Sequence, residues 1–524
     1  MLSLTEIKKN IVATEYKNSI SNLLKLQKEN KNNIEIIYLL AICFDKLGDY
    51  KNAIDNYKAV ILKKPRDIYL NNLGKIFIKK NEFKKAITYF NKSLDLNLKN
   101  PETYNLIGIC YGMLNEENLA INFFNKSLDC KSDYIDTIYN LLELLEKTNK
   151  INELQKLINK KIIHFPKNKI ILFYNSYVLE KENKSIQAIK ILSKINFSTI
   201  NAEWVVKSKY RIAELLNKVK NYKESFNYYR EANNIVLKNI PKQSFVNNNF
   251  LNELNFEIAN YKRTLIKNPI VTTNELSLIF HIGFPRSGTT LIDAILNTHS
   301  NTLVIEEVPV IDSIFKNQNF IDSTSSLKKQ RVAISIYQEF LSKHYLQADL
   351  VGKTIIDKLP LNLVKIKKIN EIFPQAKFIV SIRHPLDCIL SCYMQNFQLN
   401  SSMINFLDLE RTAIVYDKVM YIWKQNQNEL RKISHIIKYE NLIENFNTEI
   451  EKLLIFLSLK NENIENNYRN EVLKRERVRT PSYNQITQPI YKSSINKWHN
   501  FKDELSEIRP IVEKWVNFFE YDLK

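Results

Sequence analysis

Residues 278–291 read Leu278-Ile279-Phe280-His281-Ile282-Gly283-Phe284-Pro285-Arg286-Ser287-Gly288-Thr289-Thr290-Leu291, an apolar run, a loop and the start of a helical pattern. The chain of 524 residues has only seven glycines, and two of them bracket this loop. Glycine serves where the backbone approaches a neighbour closely or takes dihedrals that other residues avoid. A strand, such a loop and a helix N-terminus together present unpaired amides and the helix dipole to an anion. We therefore predict a phosphate-binding loop.

The loop pattern Gly-x-x-x-x-Gly-Thr-Thr differs from the nucleotide-triphosphate P-loop at one position. Thr289 stands where that P-loop has the lysine that reaches the terminal phosphates, and Arg286 supplies the cation instead. The sequence thus predicts phosphate binding without a metal-bound triphosphate, and no metal site. The alternative is a tight strand–helix turn whose glycines only ease packing.

The N-terminal part, to about residue 230, repeats with a period of 33 or 34 residues. The repeat is marked by Ala53-Ile54-x-x-Tyr57, Ala86-Ile87-x-x-Phe90 and Ala120-Ile121-x-x-Phe124. Counting on by 34 reaches Leu154 and Ala188, and counting back reaches Ser19. This period resembles the tetratricopeptide repeat (TPR), whose small residues let paired helices approach closely. The resemblance implies an α-solenoid with a groove for a peptide or protein; a scaffold that only stabilises its neighbour is the alternative.

Short β-rich runs alternate with helical patterns from residue 277 onward, which predicts an α/β sheet with crossover helices. The candidate strands are 277–282, 302–305, 354–356, 377–382 and 435–438. Each ends in polar residues, and ligands of open α/β sheets lie at the strand ends. The predicted organisation is a TPR superhelix at 1–240, a linking helix and connector at 241–275, and a P-loop-like three-layer α/β/α domain with a parallel sheet at 276–524.

Two motifs of this second half resemble sulfotransferases. Residues 285–291 resemble the loop that binds the 5′-phosphosulfate, and Lys377-Phe378-Ile379-Val380-Ser381-Ile382-Arg383, followed by Ser391, resembles the strand and helix that bind the 3′-phosphate. They occur in the family's order, about a hundred residues apart. Residues 277–498 resemble tyrosylprotein sulfotransferases in particular, and the fusion with TPR repeats resembles a known bacterial type. The resemblance implies 3′-phosphoadenosine-5′-phosphosulfate (PAPS) as the donor.

The same resemblance assigns the donor-binding groups. Those of the 5′-phosphosulfate are Arg286, Ser287, Gly288, Thr289 and Thr290, the last four through their amides. The groups that bind the rest of PAPS are Arg383 and Ser391 for the 3′-phosphate, Tyr439 for adenine, and Lys497. An arginine fork pairs bidentately with phosphate, which suits the role implied for Arg383.

The catalytic residues that the family implies are Glu307, Lys358 and Ser482. Glu307, the second of a Glu-Glu pair, would accept the proton of the acceptor hydroxyl, because attack on sulfonate requires a positioned base. Lys358 would neutralise the leaving oxygen and Ser482 would donate to the transition state, so that fixed donors replace a metal. Two solvated acids at a strand end are the alternative for Glu306 and Glu307.

The sequence also departs from the tyrosylprotein enzymes. Val304 and Ile356 replace the cysteines of a disulfide in the secreted enzymes. Val308-Pro309 stands near the place of the arginine that selects tyrosine, and Gln488 replaces a lysine. The resemblance therefore covers the donor site more fully than the acceptor site. Peptide tyrosine, a glycan, a lipid headgroup and a small alcohol all remain candidate acceptors.

Composition narrows the protein class further. The net charge of +20 fits solvated lysine faces or attraction to polyanions, but no recognition helix, zinc spacing or RNP-like strand predicts a nucleic-acid partner. Five cysteines without a framework and no apolar run of membrane-spanning length predict a cytoplasmic protein. The leading hypothesis is a TPR sulfotransferase acting on an acceptor hydroxyl, protein tyrosine being one candidate. The rivals are a nucleotide-dependent kinase and a catalytically silent TPR scaffold.

Overall fold

A computed structural model describes residues 2–240, 249–260, 276–462, 464 and 494–523. The chain divides into two compact units, Met1–Val178 and Leu179–Lys524. The first unit is helical and the second contains a sheet, so each is described by itself.

The first unit consists of short helices joined by tight turns. Its helices are α1 (Leu4–Val12), α2 (Tyr16–Glu29), α3 (Ile34–Lys46), α4 (Tyr50–Lys63), α5 (Asp67–Lys79), α6 (Phe83–Leu96), α7 (Pro101–Met113), α8 (Glu117–Cys130), α9 (Ile135–Lys147), α10 (Ile151–Ile162) and α11 (Lys169–Lys181), the last of which runs past the unit's end.

The repeat is also visible in the backbone conformation of the turns. A residue with positive φ stands two positions before every second helix, at Thr14, Gly48, Asn81, Asn115 and Asn149. Glycine and asparagine tolerate this left-handed conformation better than other residues. The spacing of these turns is 33 or 34 residues, which confirms the predicted period and extends it beyond the three units that the sequence marks clearly.

Close contacts between paired helices explain the small residues of the repeat. Ala53, Ala86 and Ala120 are fully buried. Gly74 packs so tightly against Phe90 that an added Cβ would lie 2.4 Å from a ring carbon, and Gly108 meets Phe124 in the same way. The aromatic ring of one helix therefore fills the space that glycine leaves in its partner.

We expect Gly74→Ala to lower the free energy of unfolding by about 1–3 kcal/mol, because the added methyl overpacks the contact with Phe90. Gly112→Ala is the matched control, since Gly112 is also helical but nothing lies within 4 Å of its would-be Cβ. That substitution should raise stability by about 0.5–1 kcal/mol through helix propensity. Unfolding in urea followed by circular dichroism measures both. Equal stability of the two variants would contradict the packing explanation.

The second unit contains a five-stranded, wholly parallel sheet in the order β2-β3-β1-β4-β5. Its strands are β1 (Leu278–Gly283), β2 (Thr302–Glu306), β3 (Thr354–Lys358), β4 (Lys377–Ile382) and β5 (Ser434–Lys438). All five strands that the sequence predicts are confirmed. Helices cover both faces: Phe280 and Ile282 point into one apolar cluster, and Ile279 points into another. The predicted three-layer α/β/α architecture follows.

The helices of this unit lie before, between and after the strands. They are α12 (Ser185–Ser193), α13 (Ala202–Lys218), α14 (Tyr222–Asn239), α15 (Asn249–Asn260), α16 (Thr289–Leu296), α17 (Val310–Phe315), α18 (Gln318–Ile321), α19 (Ser326–His344), α20 (Gln347–Leu350), α21 (Ile366–Ile372), α22 (Pro385–Tyr393), α23 (Leu409–Asn426), α24 (Tyr439–Glu444), α25 (Phe446–Leu457) and α26 (Arg509–Phe518).

The helix pair α13–α14 shares a core with the sheet domain. The Phe226 ring stacks on Tyr393 at 5.3 Å, and the Asn233 side-chain amide donates to the Tyr393 carbonyl at 3.1 Å. Compact packing of the sheet unit thus begins at Leu179, upstream of the predicted bounds at 240 and 276, which stay a prediction.

Candidate active site

The loop after β1 holds two strained or glycine-dependent positions. Arg286 has φ 70° and Gly288 has φ 92°, directly before the first residue of α16. A Cβ on Gly288 would lie 2.5 Å from the Tyr439 ring, and one on Gly283 would lie 2.6 Å from the Ser381 carbonyl oxygen. Both glycines therefore serve close approach, as the sequence predicts. The left-handed backbone of Arg286, an arginine rather than an asparagine or glycine, is an outlier that makes this loop a candidate functional site.

Two arginines meet at the carboxyl ends of β1 and β4. The Nε of Arg286 donates to the hydroxyl of Ser391 at 2.9 Å, and the Nη1 of Arg383 donates to the Arg286 carbonyl at 3.1 Å. Arg383 is buried, and within the described chain its Nε has no hydrogen-bond partner. The two guanidinium groups thus face one site, where the strand order reverses and ligands of α/β sheets bind.

Tyr439 closes one side of this arginine cluster. The Arg383 guanidinium lies over its ring at 4.9 Å, a cation–π contact. The Tyr439 hydroxyl shares a hydrogen bond of 2.7 Å with the Ser494 hydroxyl, and Arg383 Nη2 donates to the Ser494 carbonyl at 2.5 Å. Ser494 is thereby held against both Arg383 and Tyr439.

A carboxylate and an ammonium group meet at the ends of β2 and β3. Lys358 Nζ lies 3.0 Å from Glu307 Oε1, and the Glu307 amide donates to the Lys358 carbonyl at 2.8 Å. Glu307 has φ 52° and a side chain that is 36% exposed, whereas Lys358 is fully buried. Burial alone would lower the pKa of Lys358, but Asp293 and Glu307 outweigh it and the pKa is raised. Glu307 can thus meet a ligand while Lys358 stays charged beneath it.

Lys497 is held in place by a buried carboxylate. Asp387 accepts hydrogen bonds from the amides of Asn496 and Trp498, both at 2.9 Å, on either side of Lys497. Burial, and next the positive charge of Arg383, lower the pKa of Lys497 to about 8. A lysine beside other cations is costly in the free protein, and an anion placed among them would relieve that cost.

Most of these groups line one cleft of about 1870 Å³, whereas Lys358, predicted to be catalytic, lies buried behind Glu307 and outside the lining. Of the residues assigned from the resemblance, the cleft exposes Arg286, Gly288, Thr289, Thr290, Glu307, Arg383, Ser391, Tyr439 and Lys497. Ser287 is buried behind the loop, and its amide donates to the Phe284 carbonyl at 3.2 Å rather than pointing freely outward. Ser482 lies outside the described residues. The volume exceeds that of an ordinary small-molecule pocket, which leaves space for two ligands.

Sequence reasoning missed a buried polar group behind the cleft, made of His281, Asp293 and Ser381. The signal was present: a histidine interrupts an apolar strand, and an aspartate interrupts the apolar face of the next helix. Buried polar groups require partners, so two such interruptions twelve residues apart could have been paired.

The described residues contain neither a metal-binding cluster nor a membrane-spanning helix. No group of three or more histidine, cysteine, aspartate or glutamate side chains is arranged to hold a metal ion there. None of the helices in the same ranges has the length and hydropathy needed to cross a bilayer.

Comparison with known proteins agrees with both halves of the chain. Residues 278–463 match the model of the Sulfotransferase family, and residues 35–66 and 69–100 match models of the tetratricopeptide repeat. The chain thus carries TPR repeats followed by a sulfotransferase-family domain, as the two resemblances predict.

Curated relatives match parts of the chain. An uncharacterized protein of Aquifex aeolicus (strain VF5) is 26% identical over 402 residues, which is 71% of this chain and 50% of the relative. Protein-tyrosine sulfotransferase 1 of Danio rerio is 32% identical over 127 residues, covering 22% of this chain and 36% of the relative. Protein-tyrosine sulfotransferase 1 of Homo sapiens is 30% identical over 117 residues, covering 21% and 32%. The chain spans between about a third and a half of these relatives.

Proposed function

We propose that the protein is a sulfotransferase that moves a sulfonate group from PAPS to an acceptor hydroxyl. One observation carries the proposal: Arg286, Arg383 and Glu307 line a single cleft at the carboxyl edge of the sheet, and buried Lys358 pairs with Glu307 from behind. That cleft lies largely within the segment that matches the sulfotransferase family.

The residues present fit a donor with two phosphate groups. Arg383 Nε and the Ser287 hydroxyl are buried polar atoms without a partner in the described chain, and such atoms are expected to pair when a ligand binds. Gly288 keeps the backbone close to the site, and the first turn of α16 offers amides without helical partners. In this proposal Arg286 and the loop amides hold the 5′-phosphosulfate, while Arg383 and Ser391 hold the 3′-phosphate.

Tyr439 and Lys497 complete the proposed donor site. The Tyr439 ring packs against Gly288 and Arg383 and lines the cleft, and in this proposal it contacts the adenine base from there. Lys497 supplies a further positive charge near both arginines. The binding groups for base and phosphates would then come from the loop before α16, the end of β4 with α22, the start of α24, and the segment around Lys497.

When bound, the donor supplies an activated sulfonate group, and the chain supplies proton acceptance and charge. Glu307 accepts the proton of the acceptor hydroxyl at its carboxylate, which its exposed position in the cleft allows. Lys358, buried behind Glu307, stabilises the negative charge that develops on the leaving oxygen. Its electrostatic interaction is stronger there than in water because the site is buried. Ser482 remains a proposed additional donor.

We propose a recruiting role for the repeats and a hydroxyl-bearing acceptor. The TPR half would recruit a peptide or protein, either the acceptor itself or a partner that delivers it. Protein tyrosine is one candidate acceptor beside glycan, lipid headgroup and small alcohol.

Incubating the full-length protein with PAPS and a cell extract tests the proposal. Mass spectrometry should find molecules that gain one sulfonate group, and calorimetry should find tight binding of the product 3′-phosphoadenosine-5′-phosphate (PAP) without magnesium. Binding of Mg–ATP but not PAP would favour the kinase. Binding of neither nucleotide, with partners still captured, would favour the scaffold.

The affinity for PAP should fall as the pH rises above about 8, where free Lys497 loses its proton. The charged form binds the anion, so the bound state holds its proton to a higher pH and the affinity drops by up to about tenfold per pH unit between the two pKa values. Titrations from pH 7 to 10 measure this. Lys497→Arg should flatten the profile because arginine stays charged, and an unchanged profile in that variant would assign the pH dependence elsewhere.

A further inference from the structure

A network of charged and polar side chains runs from the cleft into the centre of the sheet. Glu307 Oε1 lies 3.0 Å from Lys358 Nζ, which lies 3.5 Å from Asp293 Oδ2. The other oxygen of Asp293 lies 2.6 Å from His281 Nδ1, and His281 Nε2 lies 2.7 Å from the Ser381 hydroxyl. Only Glu307 at the outer end reaches the cleft.

Burying the inner members of this network costs free energy, so each of them needs a partner. His281, Asp293 and Lys358 are each 0% exposed. Removing one member of a buried ion pair leaves an uncompensated charge, which is strongly destabilising. Asp293 Oδ2 has no hydrogen-bond partner among the described residues, so its ion pair with Lys358 is what compensates this buried oxygen.

The fold fixes Asp293 between two functional elements. Asp293 lies on α16, the helix that begins at the phosphate-binding loop, and Lys358 ends β3. His281 lies on the central strand β1 and orients the aspartate, because its ring nitrogen can donate only to one carboxylate oxygen and leaves the other toward Lys358.

We propose that Asp293, oriented by His281, is the positioning residue for Lys358, and this inference rests on the proposed function. Before the reaction, Lys358 has two anionic neighbours, Glu307 and Asp293. When Glu307 takes the proton of the acceptor, its carboxylate becomes neutral, and Asp293 is then the counter-charge that keeps Lys358 protonated and in place. The residue acts through Lys358 and touches neither donor nor acceptor.

Asp293→Asn tests the proposal in the full-length protein, because it removes the charge and keeps the shape. We expect kcat for sulfonate transfer to fall by about 10- to 100-fold, as for other supporting residues of a reactive group. The KM for PAPS and the affinity for PAP should stay within about twofold of wild type. Asp349→Asn, an exposed aspartate on α20, is the control and should change none of these values.

A double-mutant cycle on thermal unfolding gives a readout besides activity. Lys358→Met and Asp293→Asn should each lower Tm, and the double variant should lose less than the sum, because no buried charge is left unpaired.

The outcomes separate the two levels of the proposal. An unchanged kcat in Asp293→Asn, a parallel loss of PAP affinity, or additive Tm losses would overturn the role of Asp293. A wild-type protein that transfers no sulfonate would overturn the proposed function and the positioning role with it. Coupled Tm losses would then still establish the buried ion pair by itself.

Discussion

Replacing Arg383 with alanine is expected to weaken the binding of PAP by roughly a hundredfold to a thousandfold. The buried guanidinium has an unpaired Nε at the site, and charge-assisted hydrogen bonds to phosphate are worth about 1.5–3 kcal/mol each. Isothermal titration of PAP into the magnesium-free protein measures the change. Arg383→Lys should lie between wild type and alanine, because it keeps the charge and loses the fork.

The control for this loss is Arg431→Ala, which removes an exposed arginine far along the chain from the loop. Its PAP affinity should equal that of wild type. Arg383 also donates a hydrogen bond to the Ser494 carbonyl, so its loss could affect folding. Circular dichroism and Tm must therefore show that Arg383→Ala remains folded. A folded Arg383→Ala protein with wild-type affinity would show that the 3′-phosphate is bound elsewhere.

Glu307→Gln is expected to lower kcat by about 10²- to 10⁴-fold while the PAP affinity changes by less than about twofold. An amide of the same shape can still accept from Lys358, but it cannot take a proton from a hydroxyl. Single-turnover transfer of labelled sulfonate measures the chemical step, and calorimetry measures binding.

The neighbouring Glu306 offers the control, since the same substitution there changes the same charge one residue away. Glu306 ends β2, whereas Glu307 follows it with a left-handed backbone that directs its side chain differently. We expect Glu306→Gln to retain most of the turnover. If Glu306→Gln loses it and Glu307→Gln does not, the base is the first glutamate of the pair.

The elements that could be predicted from the sequence were those with a local signal. The apolar runs of β1 and β4 are short, β-rich and bounded by polar residues, so their positions followed from pattern alone, and their alternation with helical segments indicated a parallel sheet. The solenoid was visible because small residues and aromatics recur at a fixed spacing, and Gly74 against Phe90 shows why they must. The loop was predictable because its glycines are rare in this chain.

Contacts between distant segments could not be predicted in this way. The pairing of Lys358 with both Glu307 and Asp293 depends on strand order, which no single segment encodes. The same holds for Arg286 and Ser391, which lie 105 residues apart in the chain and share a hydrogen bond. The packing of Phe226 on Tyr393 likewise becomes visible only once the chain is folded.

The contact between Gly288 and Tyr439 restricts how this protein can diverge. No methyl group fits between the loop and the ring. The positive φ of Gly288 strains any other residue at this position as well, whatever side chain stands at 439. Glycine is thus required at 288 for two separate reasons, whereas a smaller side chain at 439 would leave the loop backbone undisturbed. Sequence change at this contact is therefore open on the side of 439 and closed on the side of 288.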